Sequence, residues 1–275
     1  MVNLIEVNNV SFAYTEGVPV LKNVTFSLNN GSVAIIGQNG SGKTTLVKLL
    51  KALLKPTSGD ILINGINTKE TTAAKLARTV GLVFQNPNDQ IFKNKVLDEV
   101  MFGPLNIGQS MEEARENAIN ALETVSLVDK KEENPYDLSL SERKLVSIAS
   151  ILSMDTDIVI LDEPTIAQDY LGKAKIRSIV HELVRRGKLV ITITHDMDFV
   201  GECFQRVIVL SEGQLLLDGP AREVFSKEDV LRTANLEPPY VTQLSKTMGY
   251  QGVLLSVEEF VVYYHSSVEN LERRS

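Results

Sequence analysis

The residues with the clearest chemical purpose run from Gly37 to Thr44, GQNGSGKT, and keep the spacing GxxxxGK[ST]. Glycines at 37, 40 and 42 free the backbone to turn successive N–H groups toward one point, where phosphate oxygens can be held. The run SVAII before this loop reads as a strand and KTTLVKLLKALL after it as a helix, so the positive end of a helix dipole faces the same anion. In such a loop Gly37, Asn39, Gly40, Ser41, Gly42, Lys43, Thr44 and Thr45 form a nucleotide cradle. Lys43 is placed to reach the β- and γ-phosphates, and the Thr44 hydroxyl to join the shell of a Mg2+ ion.

Cutting a phosphate anhydride also needs a carboxylate for the metal and a group that takes a proton from water. The stretch IVILDE at 158–163 supplies both, because an apolar strand delivers Asp162 and Glu163 to its C-terminal edge, where open α/β sheets bind ligands. Asp162 is the candidate metal ligand and Glu163 the candidate general base. Gln85 follows the strand-like VGLVF, so its amide can reach metal, water or a phosphate oxygen. His195 follows LVITIT in the same way, and spacing alone leaves it open between a structural and a catalytic histidine. Tyr14 ends the first strand region; its ring can stack on a base, or simply face solvent from the strand.

The elements that must position these groups alternate between strand and helix. Residues 4–36 read as β-structure with a turn at Glu16 and Gly17, and the helix after the glycine loop is expected over 43–54, stopping before Pro56. DILING and VGLVF follow as short strands. Between 87 and 152 the texture becomes helical: Met111, Ala114, Ala118, Leu122 and Val125 share one face, as do Leu145, Ile148, Ala149 and Leu152. DIVILD, KLVITIT and RVIVL restore strands, with a helix over 171–186 between the first two. A turn at Glu212 and Gly213 then leads to QLLLDG. The pattern predicts an α/β domain with a parallel or mixed sheet over 1–220, a helical insert at about 87–152, and a mostly helical extension over 221–275 broken at Pro238 and Pro239. No motif is legible in 250–275.

The chain has 275 residues, 43% hydrophobic and 23% charged, which suits a compact domain and excludes a disordered one. No apolar run exceeds five residues, far below the ~18 that a membrane-spanning helix needs. The start, MVNLIEVNNV, carries Glu6 and no basic patch, so no secretory signal is expected. Cys203 stands alone, which excludes an internal disulfide, suits a reducing compartment and reads as a small helix-packing residue. Twenty-eight cations against 35 anions give a net charge of −7, the wrong sign for a partner held by a phosphate backbone, so no nucleic acid is expected.

Taken in order, Tyr14, GQNGSGKT, Gln85, LSLSE (138–142), ILDEP, Asp169 and His195 resemble the nucleotide-binding subunits of ABC transporters, over residues 4 to about 220. The resemblance implies an ABC cassette of the P-loop NTPase class, with a mixed central sheet, an antiparallel β subdomain and a helical subdomain. It implies ATP and Mg2+ as cofactors, Tyr14 against adenine, and Gln85 and His195 on the γ-phosphate and water, with Gln85 also in the metal shell. It further implies a head-to-tail dimer in which Ser139 acts in trans on the other protomer's ATP and Asp169 lies at the interface. FQNPNDQIF (84–92), DEVMFGPLNIG (98–108) and REVFSKEDVLRTANLEPPYVTQL (222–244) are similar to the ATPases of energy-coupling factor (ECF) importers, which handle vitamins or cobalt and nickel ions. That likeness implies a second ATPase subunit, a membrane coupling (T) protein docking beside the glutamine loop and a substrate-capture (S) protein. It also implies a peripheral place on the cytoplasmic face of the membrane and dimer contacts from the extension.

The chain departs from the pattern in two places. Leu138, Ser139, Leu140, Ser141 and Glu142 stand where the family has Leu, Ser, Gly, Gly and Gln, and TIAQD (165–169) where TSALD is common. Ser139 and Glu142 keep the spacing of a capping box. Leu140 and Ser141 put side chains where glycine gives a phosphate open access, and Glu142 is expected to set a carboxylate near that anion. The expectation is a weak ATP site wherever this signature completes it, and hence a heterodimer with an ATPase whose signature is intact. Two alternatives stay open: a nucleotide-binding regulatory or structural subunit that hydrolyses little, and the ATPase of an ABC exporter.

Overall fold

The computed structural model describes residues 3–272. Its first two strands, β1 (Ile5–Thr15) and β2 (Val18–Leu28), pair antiparallel around a turn at Glu16 and Gly17. Gly17 takes φ +82°, a torsion that tight hairpins require and glycine adopts without a Cβ clash. The next strand, β3 (Gly31–Ile36), leaves this sheet; it is apolar and buried along nearly its whole length, as a strand covered on both faces must be.

The glycine loop then opens α1 (Lys43–Leu50). This helix is shorter than its apolar run: Ala52 takes φ +55°, and the N–H groups of Leu53 and Leu54 turn back to the carbonyl of Lys48 at 2.8 and 3.2 Å. A left-handed C-terminal turn therefore ends the helix several residues ahead of Pro56. Strands β4 (Ser58–Ile63) and β5 (Ile66–Asn67) complete an antiparallel sheet of order β2-β1-β4-β5. A short α2 (Ala73–Leu76) leads to β6 (Val80–Val83) in the second sheet.

The helical segment holds α3 (Val96–Asn106), α4 (Met111–Thr124) and α5 (Leu140–Leu152). Both α4 and α5 begin with complete capping boxes, Ser110 with Glu113 and Ser139 with Glu142. Ala114, Ala118, Leu122 and Val125 are buried on the expected face of α4, whereas Met111, the first residue of the helix, is 65% exposed and stays outside the core.

Strand β7 (Ile158–Asp162), helix α6 (Tyr170–Arg185), strand β8 (Leu189–Ile193), helix α7 (Met197–Cys203) and strands β9 (Arg206–Ser211) and β10 (Gln214–Pro220) finish the second sheet. Its order is β10-β9-β3-β8-β7-β6, parallel throughout except for β10. The chain ends with α8 (Ala221–Ser226), α9 (Glu228–Thr233), α10 (Tyr240–Thr247) and α11 (Val257–Glu272). Residues 273–275 of the expected extension lie outside the described residues.

Two apolar cores hold the layers together. One fills the space between the sheets, where Leu46, Leu49 and Leu50 of α1 meet Val7, Leu28 and Ile191. The other covers the opposite face of the parallel sheet with α3 to α7, and Ala221, Val224, Phe225 and Leu231 of α8 and α9 belong to it. Cys203 is buried there, and desolvation pushes its thiol pKa well above the usual range, so it packs as a small apolar group. Parallel β3, β8, β7 and β6 bring their C-terminal ends to one edge of the sheet. The residues that follow those strands, Gly37, His195, Glu163 and Gln85, are thereby collected there.

Candidate nucleotide site

The loop after β3 is shaped by its glycines. A Cβ on Gly42, at φ +103°, would lie 2.6 Å from Leu21 Cδ2, and one on Gly37 would lie 2.2 Å from the carbonyl oxygen of Leu210. Gly40, at φ +81°, is exposed and meets only open space. Lys43 is buried and its ammonium donates to the carbonyls of Gly37 and Gln38 at 2.7 and 2.9 Å, a fold-back that closes the loop on itself. Desolvation lowers the Lys43 pKa, with the carboxylates of Glu163 and Asp162 acting in the opposite sense. Ser41 Oγ is buried with no hydrogen-bond partner among the described residues. Thr44 is exposed on the first turn of α1, while Thr45 is buried, with its Oγ1 3.4 Å from the hydroxyl of Tyr14. Tyr14 is 59% exposed and its ring sits edge-on to Phe12.

The acidic pair closes the other side. Asp162 is buried, which raises its pKa, as does the neighbouring Glu163; Lys144 and Lys43 pull it down. Glu163 takes φ +46° and its N–H donates to the carbonyl of Ile193 at 2.8 Å, so the turn after β7 is fastened to β8. One oxygen, Oε1, lies 2.9 Å from Nδ1 of His195; the other, Oε2, is buried without a partner among the described residues. The histidine side chain is 71% exposed and the glutamate 10%, so a buried carboxylate is oriented by an imidazole open to solvent. Gly37, Asn39, Gln85, Glu163 and His195 line one cavity of about 860 Å³.

The remaining sequence candidates sit elsewhere. Ser139 is the N-cap of α5, its Oγ accepting from the N–H of Glu142 at 3.3 Å. The Glu142 carboxylate, expected beside an anion, instead turns back into that cap: Oε2 accepts from the N–H and hydroxyl of Ser139 at 2.9 and 2.8 Å, and Oε1 accepts from Lys130 at 2.6 Å. These bonds, that to Lys130 foremost, pull its pKa down to about 2. Asp169 caps α6 by accepting from the N–H of Gly172 at 2.8 Å.

Two residues near the site escape sequence reasoning. The Lys144 ammonium is buried against the strand ends that carry Gln85 and Asp162. The sequence does carry a trace of it, because Lys144 precedes Ile148 and Ile151 by four and seven residues and so falls on the apolar face of its helix. Asn235, just past α9, donates from Nδ2 to Oε1 of Gln38 in the phosphate loop at 2.8 Å. No local pattern announces a contact between positions so far apart in the chain.

These residues fit a nucleoside triphosphate with a divalent cation. The loop offers an uncompensated hydroxyl, a buried ammonium and a clash-limited glycine backbone, and the opposite wall offers two adjacent carboxylates whose mutual repulsion a cation relieves. Fold and site together define a phosphate-loop nucleotide hydrolase of the α/β class.

Comparison with known proteins narrows this class. The family model described as ABC transporter matches residues 21–166, and the chain belongs to that family as one of its ATPase domains. It is 44% identical over 258 residues to a provisionally assigned ABC transporter ATP-binding protein of Pyrococcus furiosus, covering 94% of this chain and 98% of that one. The energy-coupling factor transporter ATP-binding protein EcfA of Methanocaldococcus jannaschii is 38% identical over 249 residues, covering 90% and 89%. Among solved structures, CbiO1 of Clostridium perfringens, part of the ABC transporter complex CbiONQ, superposes with a TM-score of 0.75 at 32% identity, covering 90% of this chain and 99% of that one.

Proposed function

We propose that this chain is the ATP-hydrolysing subunit of an ECF-type importer for a vitamin or a transition-metal ion. The observation that carries the hydrolytic reading is the 2.9 Å pairing of Glu163 with His195 across the cavity from the glycine loop. The EcfA and CbiO1 likenesses support the importer class. In this reading the loop amides and Lys43 bind the β- and γ-phosphates, with the Lys43 ammonium exchanging two backbone carbonyls for phosphate oxygens. Glu163 accepts the proton of the attacking water while His195 holds Oε1 in place, and Gln85 helps to orient that water. Thr44, Gln85 and Asp162 hold Mg2+, which neutralises phosphate charge when bound. Tyr14 stacks on adenine from its exposed position at the end of β1.

Surfaces that the fold leaves open support an assembly with partner subunits. Phe84, next to Gln85 in the chain, is partly exposed, and so are Phe92 and Phe102, whose rings meet edge-on at 4.7 Å with Lys93 5.2 and 5.0 Å from them. Such a patch suits a helix of a membrane coupling (T) protein, which works with a substrate-capture (S) protein. Among the described residues no helix is long and apolar enough to cross a membrane, which fits a peripheral subunit at the cytoplasmic face. Residues 1–220 form the cassette, with its insert at about 87–152, and the 221–275 extension supplies dimer contacts through exposed groups such as Tyr240, Leu244 and Val262. Ser139 and Asp169 serve the opposite protomer's site, and the side chains of Leu140 and Ser141 favour a heterodimer with a second ECF ATPase. The same departure favours, as a second reading, a subunit that binds nucleotide and hydrolyses little. Co-expression with candidate ATPase and membrane subunits tests the assembly: a stable complex that releases phosphate supports it, and a chain that copurifies with none of them refutes it.

A further inference from the structure

Lys144 is 1% exposed, yet it carries a cation into the protein beside the strand ends of the site. Its ammonium donates to three carbonyls: Phe84 at 2.7 Å, Gln85 at 3.0 Å and Asp162 at 2.9 Å. An ammonium has three N–H donors, and here each has an acceptor. Phe84 and Gln85 directly follow β6, Asp162 ends β7, and Lys144 belongs to α5, whose N-cap is Ser139. One side chain therefore ties the helix of the signature segment to both strand ends that present the candidate amide and carboxylate.

The location is otherwise suited to an apolar residue. Leu145, Val146 and Ile148 around it are buried, and desolvation brings the Lys144 pKa down to about 8 against the opposing pull of Asp162 and Glu163. A buried cation is costly unless its hydrogen bonds are complete, so the lysine is tolerated for what it holds rather than for how it packs. What it holds is backbone. The torsions of Gln85 and Asp162 decide where their side chains project, and in both residues the Lys144 ammonium fixes the carbonyl.

We propose that Lys144 is a positioning residue for ATP hydrolysis, clamping the backbone of Gln85 and Asp162 to the signature helix so that the metal-side groups keep their aim and move with that helix. The proposal rests on the hydrolytic reading of the site. It predicts that the clamp acts on turnover more than on nucleotide binding, since the Lys144 ammonium bonds to Phe84, Gln85 and Asp162, whereas the glycine loop and Lys43 belong to the β3–α1 junction.

The test uses the full chain with its copurified partners and measures phosphate release, ATP affinity and thermal stability. Lys144→Met should lower kcat by at least tenfold with the KM for ATP within threefold of wild type, and should raise the Mg2+ concentration needed for half-maximal rate. Lys144→Gln, which keeps two N–H donors, should recover part of kcat. Lys51→Met is the matched control: Lys51 is another largely buried lysine whose ammonium donates to Val80 at the start of β6, and its loss should lower stability and leave kcat unchanged. Glu163→Gln sets the floor of the assay. Wild type at that floor contradicts the hydrolytic reading and the clamp with it. Wild type above the floor, with kcat unchanged in Lys144→Met, overturns the clamp alone; should that variant not fold, a folded Lys144→Gln with wild-type kcat does the same.

Discussion

Ser141 and Gln168 hold one another through reciprocal hydrogen bonds: the Ser141 hydroxyl donates to Oε1 of Gln168 at 3.1 Å, and Nε2 of Gln168 donates to the Ser141 carbonyl at 3.2 Å. These are two of the positions at which the sequence departs from the common ABC pattern, and the departures meet. A glycine at 141 has no hydroxyl to give, and a leucine at 168 has no amide to receive it. Ser141→Gly and Gln168→Leu should therefore be coupled. A double-mutant cycle by urea unfolding is expected to show a coupling of about 0.5–1.5 kcal/mol, the net worth of such bonds. Strict additivity would mean that the pair does not hold the start of α5 to the turn before α6.

Gly42 has no room for a methyl group. Its φ of +103° and the 2.6 Å approach of Leu21 Cδ2 to a built Cβ set strain against any side chain. Gly42→Ala is expected to destabilise the fold by about 1–3 kcal/mol and to weaken ATP binding more than tenfold. Calorimetric titration of the folded variant reads the binding loss directly.

His195→Ala removes the group 2.9 Å from Glu163 Oε1 and leaves the glycine loop intact. The expected result is a kcat lower by about two orders of magnitude with ATP affinity nearly unchanged, the pattern of a group acting on the chemical step. A change confined to KM would assign His195 to binding instead.

Glu142 makes the helix cap sensitive to acid. Its folded pKa of about 2 lies below the ordinary value of 4.5, so the stability it contributes is complete above the ordinary value and is lost as pH falls toward 2. Unfolding free energy measured across that interval should decline in the wild type, and decline less steeply in Glu142→Gln. Parallel curves would show that the ionised carboxylate adds nothing to the cap.

What the sequence disclosed was whatever depends on neighbours in the chain. The strands around Lys43, Asp162 and His195, and the Ser139 cap with its Glu142 partner, follow from spacing and local polarity. The direction of the Glu142 carboxylate does not, because Lys130, which draws it into the cap, comes from a turn outside the helix. Lys144 was equally hard to read, since a lysine in a polar-looking stretch resembles a solvated one until the carbonyls of two strands are brought to it. The end of α1 was misplaced for a backbone reason: Ala52 adopts a left-handed torsion that its residue type does not advertise.

Glu163→Gln most directly tests the claim that this site binds a nucleotide and cuts it. With Mg2+ and ATP supplied to matched samples of both proteins, each with its copurified partners, each should bind nucleotide with similar affinity, and phosphate release should fall by about 10² to 10⁴ in the variant. Equal phosphate release from both proteins, or no nucleotide binding by either when well folded, would contradict it.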